Sequence, residues 1–176
     1  MLKVPQPELS FTQPTTETGL PETKKKECIV LGIGNPLLKD DRVGIDVVEA
    51  LEASHTPVAT EILYSVGFEV LDKILGYQKA IIVDACQLGL DPGTIIEVTP
   101  EALFASDRLV NSHAITLGAT LRTGQMVLGD EIPESITIIL IEAADITHFS
   151  RKCTPVVAKA AMEVVNRIQV AVSKKS

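Results

Sequence analysis

The run Cys28-Ile-Val-Leu-Gly-Ile33 is apolar at odd and even positions alike, stops at Gly34-Asn35-Pro36, and gives way to helical spacing. A strand with no polar face must be covered on both sides, which a sheet between two layers of helices provides. Gly, Asn and Pro together end the strand in a turn. Beyond it, Val43, Val47, Val48 and Leu51 recur at the spacing of one helix face, and the acidic Asp40-Asp41 in the first turn complements the helix dipole. Asp40 is expected to be the N-cap, its side chain bonded to the first amides of the helix.

The same alternation continues along the chain. Thr60 to Ser65 reads as a strand, Phe68 to Leu75 as a short helix ended by Gly76, and Ala80 to Ala85 as a second buried strand. Pro92-Gly93 turns into the strand Thr94 to Thr99, close enough in sequence to pair antiparallel with the strand before it. A helix over His113 to Arg122, a strand over Ser135 to Ile141 and a helix from Pro155 to about Val172, N-capped by Thr154, complete the pattern. Strands alternating with helices predict an α/β three-layer sandwich: a mixed, mostly parallel sheet with helices on both faces. Residues 27–176 form the single predicted domain. Residues 1–26, with Pro5, Pro7, Pro14 and Pro21 and the run Lys24-Lys25-Lys26, show no apolar period and read as a flexible tail, the lysines being its solvated boundary.

Composition narrows the function. The 176 residues are 45% hydrophobic, enough for one core. A formal charge of −7 without a basic run in the domain excludes nucleic acid and anionic membrane surfaces as expected partners. Cys28, Cys86 and Cys153 lack a C-x-x-C spacing and suit reduced thiols in a cytoplasmic protein. No apolar stretch approaches the roughly 20 residues of a membrane span.

Loops beyond the carboxyl ends of parallel strands are where such sheets collect functional groups. Asp41 lies just beyond the first strand, Asp84 ends the strand Ile81-Ile82-Val83, and His113 opens a helix after the polar Asp107-Arg108 and Asn111-Ser112. Two carboxylates and an imidazole are an oxygen and nitrogen set suited to Zn or Ni, and three protein ligands leave coordination open. The positive end of a helix dipole keeps such an imidazole neutral, with a lone pair for metal. Each residue also has a structural reading: Asp41 as a first-turn acid, Asp84 as a loop acceptor, His113 as an exposed helix-start residue. Cys86, two residues past Asp84, reads as a small buried hydrophobe ahead of a nucleophile.

The segment Leu31-Gly32-Ile33-Gly34-Asn35-Pro36-Leu37-Leu38-Lys39-Asp40-Asp41-Arg42-Val43-Gly44 resembles the opening motif of the hydrogenase maturation endopeptidases. Gly67-Phe68-Glu69-Val70-Leu71-Asp72, Val83-Asp84-Ala85, Pro92-Gly93-Thr94 and Ser112-His113 follow in that family's order, so the resemblance runs from Cys28 to near the C-terminus. It implies a metal-dependent endopeptidase that removes a C-terminal extension from the nickel-loaded precursor of the nickel-iron hydrogenase large subunit, acting as a monomer. It also implies that Asp41, Asp84 and His113 contact nickel presented by the substrate, with zinc or cadmium able to stand in. Two departures stand out: Arg42, where many relatives have glycine, is expected to alter substrate fit, and Ala85-Cys86-Gln87 lacks the second acid often found there.

Three rivals are weaker. Gly32-Ile33-Gly34 resembles the start of a dinucleotide turn, but Leu37 occupies the third glycine position and Asp40-Asp41 would repel a pyrophosphate. A peptidyl-tRNA hydrolase motif also begins with glycine, asparagine and proline, yet here Leu37 replaces its next glycine and the chain is acidic. A nickel-binding chaperone without catalysis shares the same ligands.

Overall fold

The computed structural model describes residues 24–105 and 112–173. The strands are β1 (Lys26–Ile33), β2 (Ala59–Leu63), β3 (Tyr77–Cys86), β4 (Ile95–Val98) and β5 (Ser135–Glu142). The helices are α1 (Val43–Ala53), α2 (Glu69–Ile74), α3 (Pro100–Ala105), α4 (Ser112–Leu128) and α5 (Pro155–Ser173), with a 3-10 turn at Asp40–Arg42 leading into α1. Among the described residues the strands form one 5-stranded sheet in the order β2-β1-β3-β5-β4, with only β4 antiparallel to its neighbour.

The strand pleat sorts the core into two layers. Ile29, Leu31 and Ile33 of β1, with Ile82, Ile138 and Leu140, pack on Val70, Leu71 and Ile74 of α2 and Leu117 and Leu121 of α4. Val30, Val83, Ile139 and Ile141 point to the other side, against Val43, Val47 and Leu51 of α1 and Val157, Val164 and Ile168 of α5. The expected three-layer α/β sandwich is the architecture found.

Three expectations are corrected. β4 pairs with β5, not with β3, because β3 already has β1 on one side and parallel β5 on the other. The loop after β3 crosses the end of β5 to reach the outer edge, its amides at Leu88, Gly89 and Leu90 drawn onto the Glu142 carboxylate. The helix expected to stop at Arg122 continues to Leu128. In this extension Gly124 packs closely on α2, since a Cβ there would come within 2.5 Å of a Leu71 methyl. Lys25 and Lys26 belong to the folded unit: Lys25 Nζ donates to the carbonyls of Asp130 (2.6 Å) and Ile132 (3.0 Å), and Lys26 opens β1. The rest of the expected tail, residues 1–23, lies outside the described residues.

Two glycines bring α1 onto the sheet. A Cβ on Gly32 would stand 2.2 Å from the Gly44 carbonyl oxygen, and one on Gly44 would stand 2.4 Å from the carbonyls of both Ile33 and Val83. Gly44→Ala is therefore expected to cost about 2–3 kcal/mol by overpacking and to lower Tm by roughly 5–10 °C in a domain of this size. Gly67→Ala, where a Cβ meets nothing within 4 Å, should leave Tm nearly unchanged in the same calorimetric scan.

Candidate functional site

The close approach of α1 decides where the acidic pair sits. Asp41 lies in the 3-10 turn that packs against β3. Gly34, at φ 154° directly after β1, clears the space for this turn, since a Cβ there would fall 2.0 Å from the Asp41 carbonyl. Register pairs Gly32 with Val83, so Asp84 emerges from β3 beside the end of β1. Asp41 and Asp84 thus both lie at the carboxyl end of the sheet, 9% and 1% exposed. His113 lies in the first turn of α4, and its side chain, like Asp107, Arg108 and Asn111, is outside the described residues.

The two acids of the pair have different surroundings. Asp40 is fully buried and does not cap α1, contrary to expectation. Its carboxylate instead accepts the amides of Ala144 (2.9 Å), Asp145 (3.0 Å) and Thr154 (2.6 Å) and the Thr154 hydroxyl (3.0 Å). The Thr154 hydroxyl is thereby turned to Asp40, away from the capping role predicted for it at the start of α5. Asp40 ties the turn after β1 to the loop between β5 and α5. No described residue donates a hydrogen bond to the Asp41 carboxylate. At Asp84, Oδ1 accepts the Ala85 amide at 2.8 Å, which orients the carboxyl group.

Arg42, expected to alter substrate fit, is buried and bonded within the fold. It pairs with Asp46 (2.6 Å) and Glu49 (3.3 Å) on α1 and donates to the Pro36 carbonyl (3.3 Å). The guanidinium thus fastens the Gly34-Asn35-Pro36 turn to the helix it precedes.

Glu142 is the buried acid that sequence reasoning passed over. It accepts the amides of Leu88, Gly89 and Leu90 and the Cys86 thiol (3.4 Å), and it sits opposite Cys86 in the β3–β5 register. The signal that singled out Asp84, an acid closing a strand buried on both faces, occurs again here. Burial, then the neighbouring Glu142, push the Cys86 thiol well above its ordinary pKa, and burial with Asp46 does the same to Cys153. Neither thiol is a ready nucleophile. Asp145 is held well below the usual carboxylate range by the Thr147 amide first, then by His148 and Lys39.

Carboxylates are hard oxygen donors of the kind a divalent ion takes. Among the described residues no three His, Cys, Asp or Glu side chains form a metal-holding group. Asp41 and Asp84 are two carboxylates at the carboxyl end of the sheet.

The sequence matches the model of a family described as hydrogenase maturation protease over residues 45–171. The hydrogenase 2 maturation protease of Escherichia coli is 32% identical over 118 residues, covering 63% of this chain and 70% of the relative. The hydrogenase expression/formation protein HupD of Rhodobacter capsulatus is 25% identical over 144 residues, 79% of this chain and 68% of HupD. Among solved structures, the hydrogenase maturating endopeptidase HybD from E. coli superposes with a TM-score of 0.68 at 25% identity, over 85% of this chain and 94% of HybD.

Two outcomes are expected. Asp40→Ala should cost at least about 2 kcal/mol, since it strands buried amides, and native-state hydrogen exchange at Ala144, Asp145 and Thr154 should speed up with it. Cys86 and Cys153 should alkylate at least about tenfold more slowly in the native protein at pH 8 than in urea. Because their folded pKa values are raised, the stability they contribute is complete below the unfolded thiol value, about 8.5, and declines as pH rises past it.

Proposed function

Because the chain belongs to the hydrogenase maturation protease family, we propose that it removes the C-terminal extension of a nickel-iron hydrogenase large-subunit precursor, using nickel that the precursor itself carries. The observation that supports this most directly is the Asp41–Asp84 pair. Two buried carboxylates are brought to one sheet edge by glycine contacts too tight for any other residue, and one of them takes no hydrogen bond from the described protein. A carboxylate so placed contributes little to the stability of its own fold and suits a ligand from outside.

In this reading Asp41 and Asp84 supply oxygen ligands and His113 an imidazole nitrogen, completing the coordination of an ion that arrives with the substrate. The ion supplies Lewis acidity, polarising the scissile carbonyl or acidifying a water. One of the two carboxylates takes the proton of the attacking water as its oxygen bonds to the carbonyl carbon, and the departing amine takes a proton as the C–N bond breaks. Docking and activation coincide, because the protein alone lacks the full ligand set. Asp40 and Glu142 hold the loops on either side and touch no substrate. No described helix is long and apolar enough to cross a membrane, and the free thiols accord with a reducing cytoplasm.

The test is incubation with nickel-loaded and nickel-free precursor, scored by mass for loss of the C-terminal peptide. Cleavage is expected only with the loaded form, and Asp41→Asn, Asp84→Asn and His113→Ala should each lower the rate at least about 100-fold while melting within a few degrees of the native protein. Normal processing by all three variants would refute the assignment, and nickel-dependent binding without cleavage would identify a chaperone instead.

A further inference from the structure

Aromatic residues are scarce in this chain, with 2 Tyr, 4 Phe and no Trp among 176 residues. The described core contains none of them and is built from Ile, Val, Leu, Ala and Cys. Tyr77 lies half-buried at the amino end of β3, with the Lys26 ammonium 5.3 Å from its ring centre. Tyr64, Phe68 and Phe149, by contrast, are 69%, 65% and 82% exposed. All three follow the carboxyl ends of strands: Tyr64 directly after β2, Phe68 just before α2, and Phe149 between β5 and α5. Leu37, after β1, is exposed on the same side.

These side chains stand on fixed backbone. The Gly34 amide donates to the Leu63 carbonyl beside Tyr64 (3.1 Å), and the Phe68 carbonyl accepts the Leu71 amide (2.9 Å). Phe149 forms an antiparallel bridge with Leu38, flanked by Ser150 N–H to Leu37 O (2.9 Å) and Lys39 N–H to His148 O (3.1 Å). That bridge is two residues from Asp40 and three from Asp41. An exposed aromatic on a tethered backbone loses little entropy on being covered. Aromatic anchors of this kind dominate protein interfaces.

We infer that Tyr64, Phe68 and Phe149 are the docking anchors by which this protein grips an apolar surface of the folded large-subunit precursor next to the segment that is cut. The inference rests on the processing reading above. The Leu38–Phe149 bridge joins this rim to the turn that carries Asp41, so a chain whose peptide bond reaches the carboxylates passes beside it. Each covered aromatic removes on the order of 150–250 Å² from water. Three of them supply a large share of the roughly 800 Å² that each partner buries in a standard interface, more than the few residues flanking a scissile bond require. That area suits a folded protein surface, with the extended segment delivered beside it.

The experiment measures processing of the nickel-loaded precursor by the full chain carrying Y64S/F68S/F149S, by the single variant Phe149→Ser, and by a control M126S/V127S. Met126 and Val127 are equally exposed but lie at the far end of α4. The expected result is a fall in kcat/KM of at least about 30-fold for the triple variant and about fivefold for Phe149→Ser, carried by KM, with the control within twofold. Circular dichroism melts and sedimentation velocity accompany each variant. Processing by the folded rim variants within threefold of the native protein overturns the inference and leaves the processing reading standing. A native dimer that the rim variants dissolve assigns the patch to a second copy of this chain and also overturns it. Failure of the native protein to cut or bind any precursor overturns the processing reading, and this inference with it.

Discussion

A Cβ at Gly44 would lie 2.4 Å from the carbonyl oxygens of both Ile33 and Val83, so the first turn of α1 rests directly on the backbones of β1 and β3. No side chain separates them. That contact sets the height of the 3-10 turn above the sheet and so the position of Asp41 relative to Asp84. Gly32 and Gly34 belong to the same constraint, one under the helix and one under the turn. The glycines of the opening motif are spaced by this crossing and not by a need to cradle phosphate.

Once the turn is seated, two buried carboxylates hold the loops around it. Asp40 gathers the amides of the β5–α5 loop, and Glu142 gathers those of the β3–β4 loop. Charged acceptors bonded by several amides are strong and directional, which suits an edge where irregular backbone must be held without a core beneath it. The outcome is a division of labour among the acids. Asp40 and Glu142 are consumed by structure, while Asp41 receives nothing from the described residues. The hydrophobic surface is divided in the same manner: among the described residues aliphatic side chains fill the core, while Tyr64, Phe68 and Phe149 stand outside it at the carboxyl edge.

Much of this was legible in the chain. Strands β1, β3 and β5 announced themselves as short runs without a polar face, and the Val43, Val47, Val48, Leu51 spacing placed α1. Asp84 drew notice as an acid at the end of a buried strand, and Glu142 could have been found by the same rule. The partner of β4 was not legible, because proximity along the chain favoured β3 while the parallel pairing of β3 with β5 had already taken that edge. At Arg42 the departure from the family's glycine was visible in the sequence, but its partners Asp46, Glu49 and the Pro36 carbonyl were not.

By itself, then, the sequence determined the layers, the direction of most strands and the set of acids able to lie at the carboxyl edge, since these follow from hydrophobic period and turn chemistry, which are local. Only the tertiary structure decided which acid of the Asp40-Asp41 pair would be saturated by amides and which would take no hydrogen bond from the described residues. That choice depends on Ala144, Asp145 and Thr154, more than 100 positions away along the chain, arriving within hydrogen-bond distance of one carboxylate and not of its neighbour.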